Sequence, residues 1–390
     1  MVVNTILLDF ILPNPHEDDG KPPDALKVVE TVLEKHKLST IHRAPIDGSS
    51  TMAIMEGPQG ATATVRIHPQ GMVTVTLEYY VTKGQSPLFS TKELQKLRDE
   101  IADSLGSSNS RLLPPVQRGC RVDPYLTTSD ERLLQYDFDE LLFEQQTAFQ
   151  KVQIFHSTNF GNALVLDGLI NLAESDLIYT ETLMQRGKLD YTDKNVLILG
   201  GGDGALLHEL LQENPGCVTM VEIDDVVMKS CRTHMRTVCG ESMDQYVGPH
   251  HEIIVDDALK VMDQYEKEGK FFDVIIGDLT DIPISSTPQD ELWVFFRNII
   301  SKAFKILGPN GVYLMHVSEL LNIELQVAGI GSFVCDHGNG ISSKQALSMF
   351  EDELDKMDPP VVHSKSLAYV PSFMEQWVFY QIKKREEIKS

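Results

Sequence analysis

Val196-Leu-Ile-Leu-Gly-Gly-Gly-Asp203-Gly-Ala205 runs four apolar side chains straight into a cluster of glycines. The apolar run reads as a buried parallel strand, and the glycines allow a sharp turn into a helix starting near Ala205. In an open α/β sheet, ligands sit in the crevice past the carboxyl end of such a strand. A glycine turn there lets a nucleotide-like group lie close against the backbone. Asp203 changes what that group can be. Its carboxylate stands where a phosphate-binding loop shows bare N–H groups, which disfavours pyrophosphate and favours a cation. A tight turn can also be purely structural, so the surrounding sequence decides between the two.

From Tyr191 onward strands and helices alternate, the mark of a doubly wound parallel sheet. After the first strand (195–199) and a helix over 205–214 comes Val218-Thr-Met-Val-Glu222-Ile-Asp224. The third strand, Glu252-Ile-Ile-Val255, ends in Asp256-Asp257, and the fourth, Phe272-Asp-Val-Ile-Ile276, runs into Gly277-Asp278-Leu279-Thr280. Each strand finishes with a carboxylate at the same edge of the sheet. One such acid is usually a helix cap; four converging on one crevice point to ligand binding. Glu222, about 20 residues past the glycine turn, sits where an acid accepts hydrogen bonds from a ribose diol. Asp257 is placed to meet an adenine amino group. Asp203 and Asp278 remain for the reacting end, an arrangement that suits a nucleoside with a positively charged tail. The histidines are scattered, and neither a Ser/His/Asp triad nor a metal-ligand cluster emerges.

Upstream, residues 1–112 read as a small α+β domain. A first strand over 5–12 and a helix over 25–36 precede alternating strands at 61–67 and 72–80, where Val73, Val75, Leu77 and Tyr79 share one face. A helix over 91–105 stops at Gly106-Ser-Ser-Asn-Ser110. With no catalytic constellation in this part, its free sheet face is a candidate subunit contact. Residues 113–176 read as short antiparallel strands (134–138, 151–156 and 163–166), followed by Asn171-Leu-Ala-Glu-Ser-Asp176-Leu and a helix with Ser175 as its cap. Asp176 and Tyr179 then share one face of the first turn.

At 390 residues, 42% of them hydrophobic, the chain supports several domains with sizeable cores. With 34 Lys+Arg against 57 Asp+Glu its net charge is −23, which argues against nucleic acid or an anionic membrane as partner and suits a cationic one. Five cysteines without a CxxC pair suggest reduced thiols in a cytosolic setting. The apolar start is short, lacks basic residues and is interrupted by Asp9, so it reads as a strand rather than a signal peptide. No run approaches the roughly 18 apolar residues of a membrane helix.

Taken together, Gly-Gly-Gly-Asp203-Gly, Val-Glu222-Ile-Asp224, Asn171-Leu-Ala-Glu-Ser-Asp-Leu, Asp278-Leu-Thr with Pro283-Ile-Ser, and Val370-Pro-Ser-Phe-Met-Glu375-Gln-Trp-Val-Phe-Tyr380 make a chain that resembles the aminopropyltransferases, the spermidine–spermine synthase family. The likeness spans nearly the whole chain and is weakest in the first hundred residues. It implies a homodimer joined through the N-terminal domain (1–112), a β-strand domain (113–176), and a Rossmann-like, class I methyltransferase-like catalytic domain (177–390). The implied reaction moves an aminopropyl group from decarboxylated S-adenosylmethionine to spermidine, giving spermine and methylthioadenosine. The sulfonium is already a good leaving group, so the resemblance implies no metal or redox cofactor. By the same match, Gln150, Gly202, Glu222, Asp257 and Ala258 face the nucleoside donor, and Tyr179, Asp203, Asp278, Phe373 and Glu375 face the acceptor. Asp278 serves as the base, while Asp203 and Glu375 hold cationic amines.

Two departures mark this chain. Phe373 stands where the family usually has tyrosine, removing one hydroxyl from the acceptor side. Over 317–345 the likeness breaks, returning at Ala346-Leu-Ser-Met-Phe350, so an insertion is expected after the fifth strand. Three alternatives follow: a spermidine synthase taking putrescine, a catalytically impaired subunit that still dimerises, and an ordinary small-molecule methyltransferase. The last shares the sheet but leaves Asp203 and Asp278-Leu-Thr unexplained.

Overall fold

The structure, a computed structural model, describes residues 2–13, 24–46, 50–82, 84–107, 109–128, 132–279, 291–317 and 343–385. Contacts divide the chain into two compact units, Met1–Asp123 and Pro124–Ser390.

In the first unit, β1 (Val2–Ile11), β2 (Ser39–Ile46), β3 (Ser50–Glu56), β4 (Thr62–Ile67), β5 (Met72–Val81), β6 (Asn109–Leu112) and β7 (Val116–Arg118) form one antiparallel sheet. Its order is β2-β3-β4-β5-β1-β6, with β7 also pairing with β1. The period-two pattern sends Ile6, Leu8 and Phe10 of β1 and Val73, Val75, Leu77 and Tyr79 of β5 to the buried face. There they meet α1 (Ala25–Lys35) and α2 (Thr91–Leu105) in one core. Both helices begin on side-chain caps. Asp24 accepts from the Lys27 amide, and Ser90 with Glu93 forms a reciprocal capping box; Gly106, at φ +62°, ends α2. The opposite face, with Thr5, Thr74, Thr76 and Glu78, is half-buried and polar. Because β6 and β7 both pair with β1, this unit runs past residue 112 to Asp123.

The second unit opens with a two-stranded hairpin, β8 (Tyr125–Thr127) and β9 (Leu133–Gln135). A four-stranded antiparallel sheet follows: β10 (Phe138–Gln146), β11 (Lys151–Ser157), β12 (Gly161–Leu166) and β13 (Leu169–Ala173). After α3 (Leu177–Leu183) come β14 (Asn195–Gly200), α4 (Ala205–Leu211), β15 (Cys217–Glu222), α5 (Asp225–His234), α6 (Arg236–Cys239), β16 (His251–Val255), α7 (Ala258–Glu268) and β17 (Phe272–Asp278). The chain closes with α8 (Glu291–Ile306), β18 (Leu307–Val317), α9 (Ser343–Asp355), β19 (Val361–Val370) and β20 (Glu375–Lys384). The large sheet has the order β16-β15-β14-β17-β18-β20-β19; its first five strands are parallel and its last two pairings antiparallel. Strand order reverses between β14 and β17, the switch point at which a crevice opens in a doubly wound sheet.

The small sheet does not stand apart. Val152, Ile154, Leu164 and Leu166 share a continuous core with Val196, Ile198, Leu206 and Met220 of the large sheet. The region expected as a separate domain over 113–176 is therefore divided: its first residues belong to the first unit, the rest to the second. Three local expectations also shift. The strand over 134–138 breaks at Tyr136 and Asp137, which turn to bond Ser372 and Ser157. The helix over 205–214 ends at Leu211, before Asn214 takes a left-handed φ of +54°. Ser175 does not cap α3; that position belongs to Asp176. Of the atypical segment 317–345, residues 318–342 lie outside the described ones. Among the described residues no helix is long and apolar enough to cross a membrane.

Candidate active site

The glycine turn follows β14 directly. Gly200 has φ +85° and its Cα pairs in register with Asp278, the last residue of β17. The amide of Gly201 donates to the Asp278 carbonyl at 3.2 Å. A Cβ at Gly200 would lie 2.2 Å from that carbonyl oxygen, and one at Gly202 would lie 2.8 Å from Glu222 Oε2. These glycines bring three carboxylate-bearing strand ends together. Gly200→Ala is accordingly expected to cost about 1–3 kcal/mol in backbone strain alone and to displace Asp278. Thermal unfolding and activity should fall together; unchanged melting and turnover would refute the close approach.

Beyond the strand ends lies a cavity of about 390 Å³. All ten residues expected at the site line it: Gln150, Tyr179, Gly202, Asp203, Glu222, Asp257, Ala258, Asp278, Phe373 and Glu375. Among the described lining residues there is no lysine or arginine. The acids are held locally as well. Asp203 Oδ1 accepts from the Ala205 amide at 2.7 Å, Glu222 Oε1 from the Asp224 amide at 2.8 Å, and Asp257 Oδ1 from the Leu259 amide at 2.8 Å. Asp257 is thus the N-cap of α7 and a cavity wall at once. Gln150 Nε2 donates to Asp224 at 3.3 Å, so Asp224 acts as a buried anchor for the Gln150 side chain.

Burial without cationic partners shows in the protonation equilibria. Burial, reinforced by the charge of Asp203, pushes Asp278 up to about 8, even though the Tyr179 hydroxyl donates to its Oδ1 at 2.7 Å. Burial also raises Asp203, and it raises Glu222 to about 7 with help from Asp224 and Asp203. His316 Nε2 lies 3.8 Å from Asp278 Oδ1, but it does not form an ion pair. Burial lowers the imidazole to about 4, and Nε2 is 3.2 Å from the Leu279 carbonyl, which receives its proton in the neutral tautomer. The cavity is therefore lined by acids whose burial the local hydrogen bonds do not fully offset, an environment that a bound cation relieves.

Tyr179 stands in an aromatic cage, its ring 5.5 Å from His316, 5.9 Å from Phe373, 6.0 Å from Trp377 and 5.5 Å from Phe379. Phe373 packs 4.6 Å from Trp377, filling the position with a ring and no hydroxyl. Glu375, at the start of β20, accepts from Trp377 Nε1 at 3.1 Å and from Arg132 Nη2 at 2.7 Å. Behind this wall, Asp176 is 1% exposed and binds the Ala173 amide, the Ser372 amide and the Ser372 and Ser175 hydroxyls. Burial raises this carboxyl while the hydrogen bonds pull it down. It fastens the start of α3, and so Tyr179, to the β19–β20 turn that carries Phe373.

Sequence reasoning missed His316, Trp377 and Arg132. Alternation along β20 puts Trp377 on the face of Glu375, and the same reading of β18 puts His316 beside Leu314; both signals were present. Arg132 carries none, being 243 residues from Glu375 along the chain.

Residues 176–330 match the spermine/spermidine synthase domain, and residues 125–174 the spermidine synthase tetramerisation domain. A polyamine aminopropyltransferase of Thermococcus onnurineus is 36% identical over 184 residues, 46% of this chain and 61% of its own length. The polyamine aminopropyltransferase of Shigella boydii serotype 4 is 34% identical over 179 residues, 45% of this chain and 58% of its own. The matches thus span about three fifths of these relatives. The crystal structure of spermidine synthase from Thermotoga maritima shares the fold, with a TM-score of 0.50 and 17% identity over 68% of this chain and 80% of that one.

Proposed function

We propose that this chain, whose residues 176–330 carry a spermine/spermidine synthase family domain, is an aminopropyltransferase that uses decarboxylated S-adenosylmethionine as donor and spermidine as acceptor. The observation that carries the reading is the pair Asp203 and Asp278, half-buried in the cavity at the switch point, raised in pKa and free of lysine or arginine partners among the described residues. In this reading the adenosine lies toward Gln150, Gly202, Glu222, Asp257 and Ala258, with Glu222 at the ribose hydroxyls. The propylammonium of the donor lies against Asp203, and the acceptor runs along Tyr179 and Phe373 toward Glu375.

The acceptor nitrogen attacks the carbon attached to sulfur. The new C–N bond forms as the C–S bond breaks, its electron pair neutralises the sulfonium to a thioether, and the nitrogen sheds a proton to Asp278. A free amine of pKa about 10 is a poor match for an ordinary carboxylate. Raised to about 8, Asp278 comes closer to that value, which is what efficient general-base transfer requires. Tyr179 fixes the carboxylate's orientation, and the neutral His316 leaves its charge uncompensated until the cations arrive. No metal or redox group enters this scheme. For assembly, we propose pairing of two copies through the polar, helix-free face of the N-terminal sheet.

The test offers the purified chain the decarboxylated donor with spermidine or putrescine separately and identifies products by mass. Spermine from spermidine supports the proposal. Because the fold neighbour is itself a spermidine synthase, putrescine is the second acceptor to weigh, and spermidine formed from putrescine alone would shift the acceptor. Turnover with neither amine, with nucleoside binding intact, would leave the impaired dimerising form.

A further inference from the structure

Among the described residues five carboxylates line the cavity, and four of them, Asp203, Glu222, Asp257 and Asp278, have no lysine or arginine partner there. Glu375 differs. Its Oε2 receives Arg132 Nη2 at 2.7 Å and its Oε1 receives the Trp377 indole. The order of groups is also informative. Asp278 is bonded to Tyr179, whose ring packs on Phe373 and Trp377; Trp377 bonds Glu375, and Arg132 lies on its other oxygen. An aromatic wall thus separates the reacting carboxylate from Glu375, with a guanidinium beyond. The Arg132 side chain is 38% exposed against 19% for Glu375, which puts the cation on the solvent side.

Arg132 is held for this position. Its amide donates to Thr128 Oγ1 at 3.0 Å, and its carbonyl accepts from the Thr128 amide at 2.8 Å, closing the β8–β9 hairpin. Tyr136, just past β9, ties the hairpin to the Ser372 carbonyl at 2.9 Å, in the turn that leads to Glu375. Guanidinium and carboxylate therefore meet through two anchored segments.

We propose that Arg132, acting through Glu375, determines acceptor specificity by ending the acid-lined cavity with a fixed positive charge that limits how many ammonium groups an acceptor places there. This rests on the aminopropyl-transfer reading of the site. An acceptor whose last ammonium reaches Glu375 finds a carboxylate with lone pairs still open. One that carries a further ammonium past Glu375 meets a like charge, which costs affinity. The aromatic wall takes the methylenes between charges in either case.

The experiment measures dissociation constants of putrescine, spermidine and spermine by calorimetry, with saturating methylthioadenosine at low ionic strength. It uses the full chain and its Arg132→Gln, Arg132→Met and Arg132→Lys variants, each checked for unchanged thermal unfolding. The expected result is that Gln and Met tighten spermine relative to spermidine by about fivefold or more, the effect one unit charge at short range has even through water, while Lys keeps the wild-type ratio. Should one neutral variant not fold, the other carries the comparison. A uniform weakening of all three amines, or an unchanged spermine-to-spermidine ratio, would overturn the assignment. Absence of amine binding to the wild-type chain would overturn the aminopropyl-transfer reading itself, and the role of Arg132 with it.

Discussion

Asp278→Asn is expected to lower turnover by about 10²–10⁴-fold, the usual contribution of a positioned general base, while leaving affinity for methylthioadenosine near the wild-type value. The same change should make the protein more stable. The folded chain holds the Asp278 proton up to about pH 8, whereas an unfolded aspartate releases it near pH 4. Across that window the native state binds more protons, so this group's effect on stability worsens as pH rises through it. Asparagine carries no such charge. The melting temperature of the variant should exceed that of the wild type by several degrees at pH 8, at roughly 2–4 °C per kcal/mol for a folded unit of about 250 residues, and the gap should close toward pH 4. Activity has the opposite sign, because the base works ionised. The acid limb of kcat/KM should therefore fall near pH 8. That of kcat should lie lower, since bound cations favour the carboxylate. Near-normal turnover by the variant would remove Asp278 from the base role.

Asp203→Asn is expected to lower kcat/KM for the decarboxylated donor by about 10²-fold or more, through loss of a charge attraction worth several kcal/mol. Intact S-adenosylmethionine carries a carboxylate where the decarboxylated form has only its ammonium, so removing the Asp203 charge should also shrink the difference in their binding. Asparagine keeps an oxygen for the Ala205 amide, and the helix start should survive. A second signature separates this effect from general damage. The charge of Asp203 is one cause of the raised Asp278 pKa, so the acid limb of the variant should move to lower pH. Equal loss with both donors, at an unmoved acid limb, would refute the electrostatic role.

Much of this site is legible along the chain because a parallel strand announces itself by composition and its end by punctuation. Residues 196–199 are an apolar run, 218–221 and 272–276 are apolar but for Thr219 and Asp273, and the acid that closes each lies at one sheet edge once the strands are parallel. The glycines after Leu199 mark the crossing point for the same local reason. What sequence order hides is contact between distant segments. The division of 113–176 depends on β6 and β7 returning to β1, and on Val152 and Leu164 packing against Ile198; neither leaves a local trace. Ser175 looks like a cap because serine commonly is one, but the next residue holds that place and spends its carboxylate on Ser372, 196 residues away. His316 is the instructive omission, because a histidine ending an apolar strand reads as packing until its distance to Asp278 is measured.

The Asp176 knot constrains how acceptor preference can diverge or be redesigned. Since one carboxylate grips both Ala173 and Ser372, grafting the β19–β20 turn from a relative without residues 171–177 would strand a buried charge and misalign Tyr179 against its new neighbours. A viable chimaera must exchange the two segments as one cassette.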